Sequence, residues 1–424
     1  MPGRPGRCSG YSGPLTLIMT HHLTPRRELL LLLAIAGIQF THILDFMIMM
    51  PLGPQFTRLF GISDAQFGLL VSAYTLSAGV SGLLAVTYVD RFDRKRLLLV
   101  LYTLFGLATL ACGLAPGYGF LMAARVAAGV FGGVLSALTQ TIVADVVPFE
   151  RRGRAMGIVM SSFSVSTVAG VPVGLFLASH LGWQAPFIGI ALLCAVLGLM
   201  AAVSLPRLGH HLQVSRPTWW RGIGQVLVDR NHLRAFGFSA LLMFAGFTVI
   251  PFITLYMQAN VGLSDAQIPY VYLCGGLATL FTARFFGRLS DRLGKVRVFS
   301  WLAVAVTVPL MATTVLPPVP LWLVLLISTA FFVCMSGRMI PGMALITAAA
   351  SPAQRGTFMV LNASVQSGAM GLASFIGGQI ISRDGAGHLQ HYWAAGLLGA
   401  VASLATLYLA RRLTLHGSAP RATA

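Results

Sequence analysis

Three ionisable residues, Asp45, Arg125 and Arg338, stand well inside long apolar runs. A charge away from water is costly, so such groups are first candidates for pairing, proton transfer or ligand binding. His42 lies three residues before Asp45, on the same helical face. A carboxylate beside a guanidinium, with an imidazole one turn away, is a set that can take up and release a proton. The competing reading is a permanent ion pair that fixes one helix against another. Four neutral polar residues in similar runs, Gln39, Gln140, Asn362 and Gln366, are candidates to line a solute path. Met47, Met49, Met50, Met243 and Met257 would suit an apolar solute, although methionines more often pack between helices or face lipid.

The elements that hold these residues follow from composition. Of the 424 residues, 56% are hydrophobic and 9% charged. A soluble domain carries charge on roughly a quarter of its residues, so most of this surface must face lipid. A span needs about 20 apolar residues. That rule places helices near 28–52, 65–88, 97–114, 119–144, 154–178 and 185–204, then 236–257, 267–287, 298–315, 320–347, 356–381 and 393–411. The run from Leu29 to Leu52, after Arg26 and Arg27, reads as a retained first span, since no small-residue cleavage site follows it. At 1.5 Å per residue, Asp45 sits about 10 Å and Arg125 about 9 Å from the same boundary. Opposite charge and matched depth predict an Asp45–Arg125 pair with His42 one turn deeper. Arg338, about 27 Å along its helix, is expected near the other mouth.

The net charge of +18 would suggest nucleic acid in a soluble protein. Here the Lys and Arg residues gather on alternate breaks between spans. One side takes Arg4, Arg7, Arg26 and Arg27; Arg91, Arg94, Lys95 and Arg96; Arg151, Arg152 and Arg154; the central segment; Arg292, Lys295 and Arg297; Arg355; and Arg411 and Arg412. The other side holds only Arg58 and Arg383. This positive-inside pattern predicts a multi-pass bacterial inner-membrane protein with both termini cytoplasmic and anionic headgroups as its lipid partners, not nucleic acid. The expected organisation is a tail over 1–27, a six-helix bundle over 28–205, a cytoplasmic linker over 206–235, a second bundle over 236–412 and a tail over 413–424. Within the linker, Trp219-Trp220 suit a short amphipathic surface helix, and a plain basic connector is the alternative. The five cysteines, Cys8, Cys112, Cys194, Cys274 and Cys334, have no paired spacing and imply neither a metal site nor a disulfide framework.

The two halves repeat. Gly61–Gln66 (GISDAQ) recurs as Gly262–Gln267 (GLSDAQ), and Asp90-Arg91 recurs at the same offset as Asp291-Arg292. Arg152-Gly153 is echoed by Arg355-Gly356. Two six-helix units in the same orientation are a transporter's parallel repeat.

Gly287–Arg297 (GRLSDRLGKVR), between the eighth and ninth spans, resembles the major facilitator superfamily signature Gly-x-Leu-x-Asp-Arg-x-Gly-Arg/Lys. The matching residues are Gly287, Asp291, Arg292, Gly294 and Lys295. The first-half copy, Val86–Arg96 (VTYVDRFDRKR), keeps Asp90, Arg91 and Arg94, but Val86 and Asp93 replace the two glycines, so its turn is expected to differ. Arg125–Gly133 resembles the family's Arg-x-x-x-Gly segment, with Ala128 where glutamine is common, and Gly129 and Gly133 form a GxxxG for close helix approach. Ala169–Gly174, with Gly170, Pro172 and Gly174, is similar to the antiporter motif of arabinose-efflux-like permeases and drug–proton antiporters. The superfamily resemblance covers roughly residues 28 to 411.

It implies an all-α fold of twelve spans in two pseudo-symmetric bundles around a central cavity, lined by spans 1, 4, 7 and 10, with the Asp45–Arg125 pair in its outer part. It also implies a monomer that moves a small solute by alternating access, with protons as co-substrate. Asp90 would cap the start of the eleventh span near Arg355-Gly356, and Asp291 the start of the fifth near Gly153. Arg94 would pair with Asp145. Together these contacts would latch the cytoplasmic side, unless the charges only orient loops. Proton-coupled export of a drug, sugar or metabolite is the expected activity. A proton-linked importer, an uncoupled facilitator or a transporter-like sensor would share the fold. No Walker A sequence, His-Glu-x-x-His or Ser/His/Asp constellation is seen, so neither an enzyme, a cofactor nor ATP-driven pumping is expected.

Overall fold

The computed structural model describes residues 25–147, 149–205, 219–351 and 354–416, nearly all of them helical. The first half runs α1 (Pro25–Ile48), α2 (Gly53–Phe60), α3 (Asp64–Tyr88), α4 (Arg94–Gly113), α5 (Tyr118–Val146), α6 (Phe149–Val165), α7 (Val171–Leu181) and α8 (Ala185–Ser204). A short helix, α9 (Trp219–Val228), precedes the second half. That half runs α10 (Arg230–Phe247), α11 (Ile253–Ala259), α12 (Ile268–Leu293), α13 (Lys295–Ala305), α14 (Thr307–Thr314), α15 (Leu321–Ala349), α16 (Arg355–Ile380) and α17 (Tyr392–Arg412). A two-stranded hairpin, β1 (Ser382–Arg383) and β2 (Leu389–Gln390), joins α16 to α17.

Among the described residues, eleven segments are long and apolar enough to cross a bilayer. The twelfth, α12, has 26 residues but turns polar from Arg284 onward. The outward faces carry apolar side chains such as Val203, Phe281 and Val308, more than 70% exposed, as a lipid-facing surface requires. The fold is thus an all-α, twelve-span membrane architecture in two six-helix bundles.

Breaks fall where the backbone lacks a donor or must change direction. Pro172 has no N–H to continue the ladder, and span 5 re-registers just before it through a π turn, Ser166–Gly170, where Val171 N–H donates to the Ser166 carbonyl. Span 7 breaks at Pro251 into α10, a 3₁₀ turn (Ile250–Phe252) and α11. Span 1 ends at Ile48 rather than Leu52, because Met49–Leu52 turn into α2. The two interruptions lie at equivalent places in the repeat, and α2 packs on α11 across the halves. Helix α10 starts at Arg230, inside the stretch 206–235 expected as the linker. Of that linker, residues 206–218 lie outside the described residues, as do 1–24 and 417–424 of the two tails.

The signature turns differ as their sequences do. Gly294 ends α12 and begins α13 at φ 93°, a conformation that suits glycine. Its counterpart Asp93 has φ −58° and instead accepts a hydrogen bond from Arg96 N–H, capping α4. The face carrying these two turns, rich in Arg and Lys, is the basic face below.

Candidate functional site

Asp45 and Arg125 meet. Arg125 Nη1 donates to Asp45 Oδ2 at 2.9 Å and to the Asp45 carbonyl at 3.3 Å, and both side chains are wholly buried. α1 and α5 supply the partners. α5 comes close to α3 because Gly129 and Gly133 carry no Cβ: one built on Gly129 would collide with the Tyr74 carbonyl, and one on Gly133 with the Ala78 carbonyl. Gly170 and Gly174 play the same part for α1, lying against Leu44 and Ile48. Pro172, between them, starts α7.

The pair is sealed inside the first bundle rather than set on an open cavity wall. The Arg125 guanidinium lies 4.4 Å from the Tyr74 ring centroid. Phe46 stacks on Tyr74 at 5.5 Å and on Phe247 of the second half at 5.9 Å. A continuous line of stacked groups therefore runs from the ion pair to the other bundle. His42 faces Tyr74 and Phe105 at ring distances near 6 Å, and its Nδ1 has no hydrogen-bond partner among the described residues.

The other polar residues do not join this cluster. Gln140 is exposed, about 9 Å from the basic-face end of α5. Asn362 is buried about 10 Å from the basic-face end of α16. Gln366 donates to Ser239 Oγ at 2.9 Å, within the second half. Gln39 accepts from Thr139 Oγ1 at 3.3 Å. Arg338 corrects the expectation of a mouth position. It is fully buried, donating to Ser403 Oγ at 2.9 Å and to the Leu242 carbonyl at 3.2 Å. Ser403 donates onward to the Ala303 carbonyl, so Arg338 ties α15 to α10, α17 and α13. Sequence depth alone could not show that its long side chain turns into its own bundle.

Of the expected basic-face latch, the side chains of Asp90 and Asp145 lie outside the described residues. Arg91, Asp291, Arg292 and Lys295 are exposed or partly exposed, and Arg94 is buried. Among the described residues, a Cβ on Gly287 or Gly356 would meet nothing within 4 Å.

Among the described residues, several contacts between the halves lie at the opposite face. Arg383 Nε and Nη2 bind the two Asp64 oxygens at 2.8 Å each. These bonds hold the Arg383 pKa above its ordinary value. Arg58 reaches Asp265 at 3.3 Å. Ser72 Oγ donates to the Gly371 carbonyl at 2.8 Å, and Gly68 lies against Ser374 and Gly378. On the second seam α12 packs on the π turn and α7 more than on α6. In the sequence Arg58 and Arg383 are the two cations of these loops and Asp64 and Asp265 are repeat mates, but nothing in it joins acid to base.

Two like-oriented six-helix bundles with a buried ion pair in one of them define a secondary-transporter architecture. The Major Facilitator Superfamily model matches the chain twice, over residues 35–234 and 235–423, and the chain belongs to that family. It is 29% identical over 360 residues to the chloramphenicol resistance protein of Streptomyces lividans, covering 83% of this chain and 88% of the relative. It is 24% identical over 335 residues to the uncharacterized transporter YtbD of Bacillus subtilis, covering 78% and 83%. Among solved structures it resembles a D-xylose–proton symporter, with TM-score 0.72, 15% identity and coverage of 92% of this chain and 98% of that one. A bacterial homolog of the human lysosomal transporter Spinster, in an inward-facing conformation, gives 0.68 at 16% identity, with the same coverage. The protein is therefore a multi-pass membrane transporter of a small molecule and not an enzyme.

Proposed function

We propose that this transporter exports a small organic solute in exchange for protons, with Asp45 as the proton-carrying group. The observation that carries the reading is the wholly buried Asp45–Arg125 pair. A carboxylate held this way exchanges its proton differently when the guanidinium is near and when it is drawn away, which is the differential binding that coupling needs. The Tyr74–Phe46–Phe247 stack gives a rocking of the two bundles a route to that pair. His42, one turn deeper, is the candidate relay. Export is favoured by the likeness to a chloramphenicol resistance protein and by the Gly170–Pro172–Gly174 motif. The basic face is read as cytoplasmic, in a bacterial inner membrane, from its Lys and Arg excess.

The test uses proteoliposomes with a pH dye trapped inside and a panel of cationic drugs, phenicols, sugars and amino acids. Proton movement opposite to solute movement is the expected result. Solute uptake that follows the proton gradient would make the chain an importer. Solute flux without proton movement would make it a facilitator.

A further inference from the structure

The repeat that marks the two halves also places an acid at the start of α3 and another just before α12. Asp64 and Asp265 are equivalent residues of GISDAQ and GLSDAQ, and each binds an arginine of the opposite half. Ser63 and Gln66 form a reciprocal capping box that fixes the first site, and Ser264 N–H donates to Gln267 Oε1 at the second. Arg58 and Arg383 are the two cations that the sequence reading assigns to the loops of this face. We propose that Asp64–Arg383 is the latch that holds this face shut, with Asp265–Arg58 as a weaker auxiliary, and that both break when the transporter opens here.

The two pairs are unequal by geometry. Asp64 is 3% exposed and takes both nitrogens of a planar guanidinium, the strong form of the contact. Asp265 and Arg58 are 49% and 63% exposed, where water screens most of the attraction. The hairpin supplies the reach. Asn260, at the end of α11, donates to the Leu389 carbonyl at 3.0 Å and accepts from Leu389 N–H at 2.9 Å. Asp384 accepts from the backbone N–H of Ala386 and His388, which closes the turn. Arg383 is thus carried on a strand pair docked to the second half and extended towards the first. A two-state bundle needs breakable contacts at whichever face is closed, and these two ion pairs lie at the face opposite the basic signature turns. The latch would act whether or not Asp45 carries protons.

Nitroxide labels at Phe120→Cys and Trp322→Cys, on the ends of α5 and α15 at this face, test it by pulsed electron–electron resonance in nanodiscs. The background has the five native cysteines replaced. With the latch intact, one short distance should dominate. Asp64→Asn and Arg383→Gln should each raise a longer-distance population by about tenfold, and Asp265→Asn by less than about threefold. The exchange Asp64→Arg with Arg383→Asp should bring the short distance back. Unchanged distances in both single variants would overturn the latch. An exchange variant as open as the singles would also overturn it, by showing that lost packing and not the ion pair moved the equilibrium.

Discussion

The Arg125 guanidinium lies 4.4 Å from the centroid of the Tyr74 ring, and Tyr74 in turn is stacked with Phe46. A buried cation over an aromatic face is worth about 2 kcal/mol when desolvated. The Tyr74 hydroxyl makes no hydrogen bond among the described residues. Tyr74→Phe should therefore keep turnover near that of the parent, while Tyr74→Leu should slow it several-fold. Equal turnover in both variants would remove Tyr74 from the route between pair and second bundle.

The ion pair itself should show coupling in a double-mutant cycle. Removing one partner of a buried pair costs about 3–5 kcal/mol, whereas replacing both with neutral groups costs far less. Asp45→Asn combined with Arg125→Met should thus be more stable in detergent than Arg125→Met alone. Arg338 offers the contrast, because its described partners are a hydroxyl, a thioether and a backbone carbonyl. A second change in a carboxylate should not be needed to restore Arg338→Met.

Helix approach at the GxxxG segment sets a stability prediction. Gly129→Ala and Gly133→Ala would drive a methyl into the backbone of α3, and overpacking of this kind costs about 1–3 kcal/mol. Gly198→Ala, whose nearest neighbour is Tyr102 at 3.5 Å, should be tolerated. Thermal unfolding of the three purified variants separates the cases.

At the hairpin, the backbone N–H of His388 and then that of Ala386 hold the Asp384 pKa below the ordinary carboxylate value. A depressed folded value means stabilisation that is complete above the unfolded pKa and is lost as pH falls through the folded one. Hydrogen exchange of residues 384–390 should therefore be independent of this group near neutrality and quicken only in acid. Asp384→Asn should show the quickened exchange at neutral pH. Identical exchange in parent and variant would contradict the assignment.

Much of the architecture was legible because lipid makes a simple demand: each span must be long and apolar and satisfy its own backbone. The twelve spans, the GxxxG approach and the Asp45–Arg125 partnership follow from that demand and from matched depth along two helices. The breaks at Pro172 and Pro251 were less visible, since a proline in an apolar run does not say whether the helix kinks, widens or stops. Side-chain direction was the other gap. Arg338 lies on a helix expected to line the cavity yet points into its own bundle. The Asp64–Arg383 contact joins residues more than 300 positions apart, and only the repeat hinted that those acids share a task.

The most direct measurement compares parent protein with Asp45→Asn in the same proteoliposomes, following solute exchange and proton-driven solute movement separately. The account predicts that Asp45→Asn still exchanges solute across a membrane without a gradient, and that it no longer moves solute against protons. Proton-driven transport that survives intact in Asp45→Asn would show that the buried pair is a structural tie and that protons are carried elsewhere.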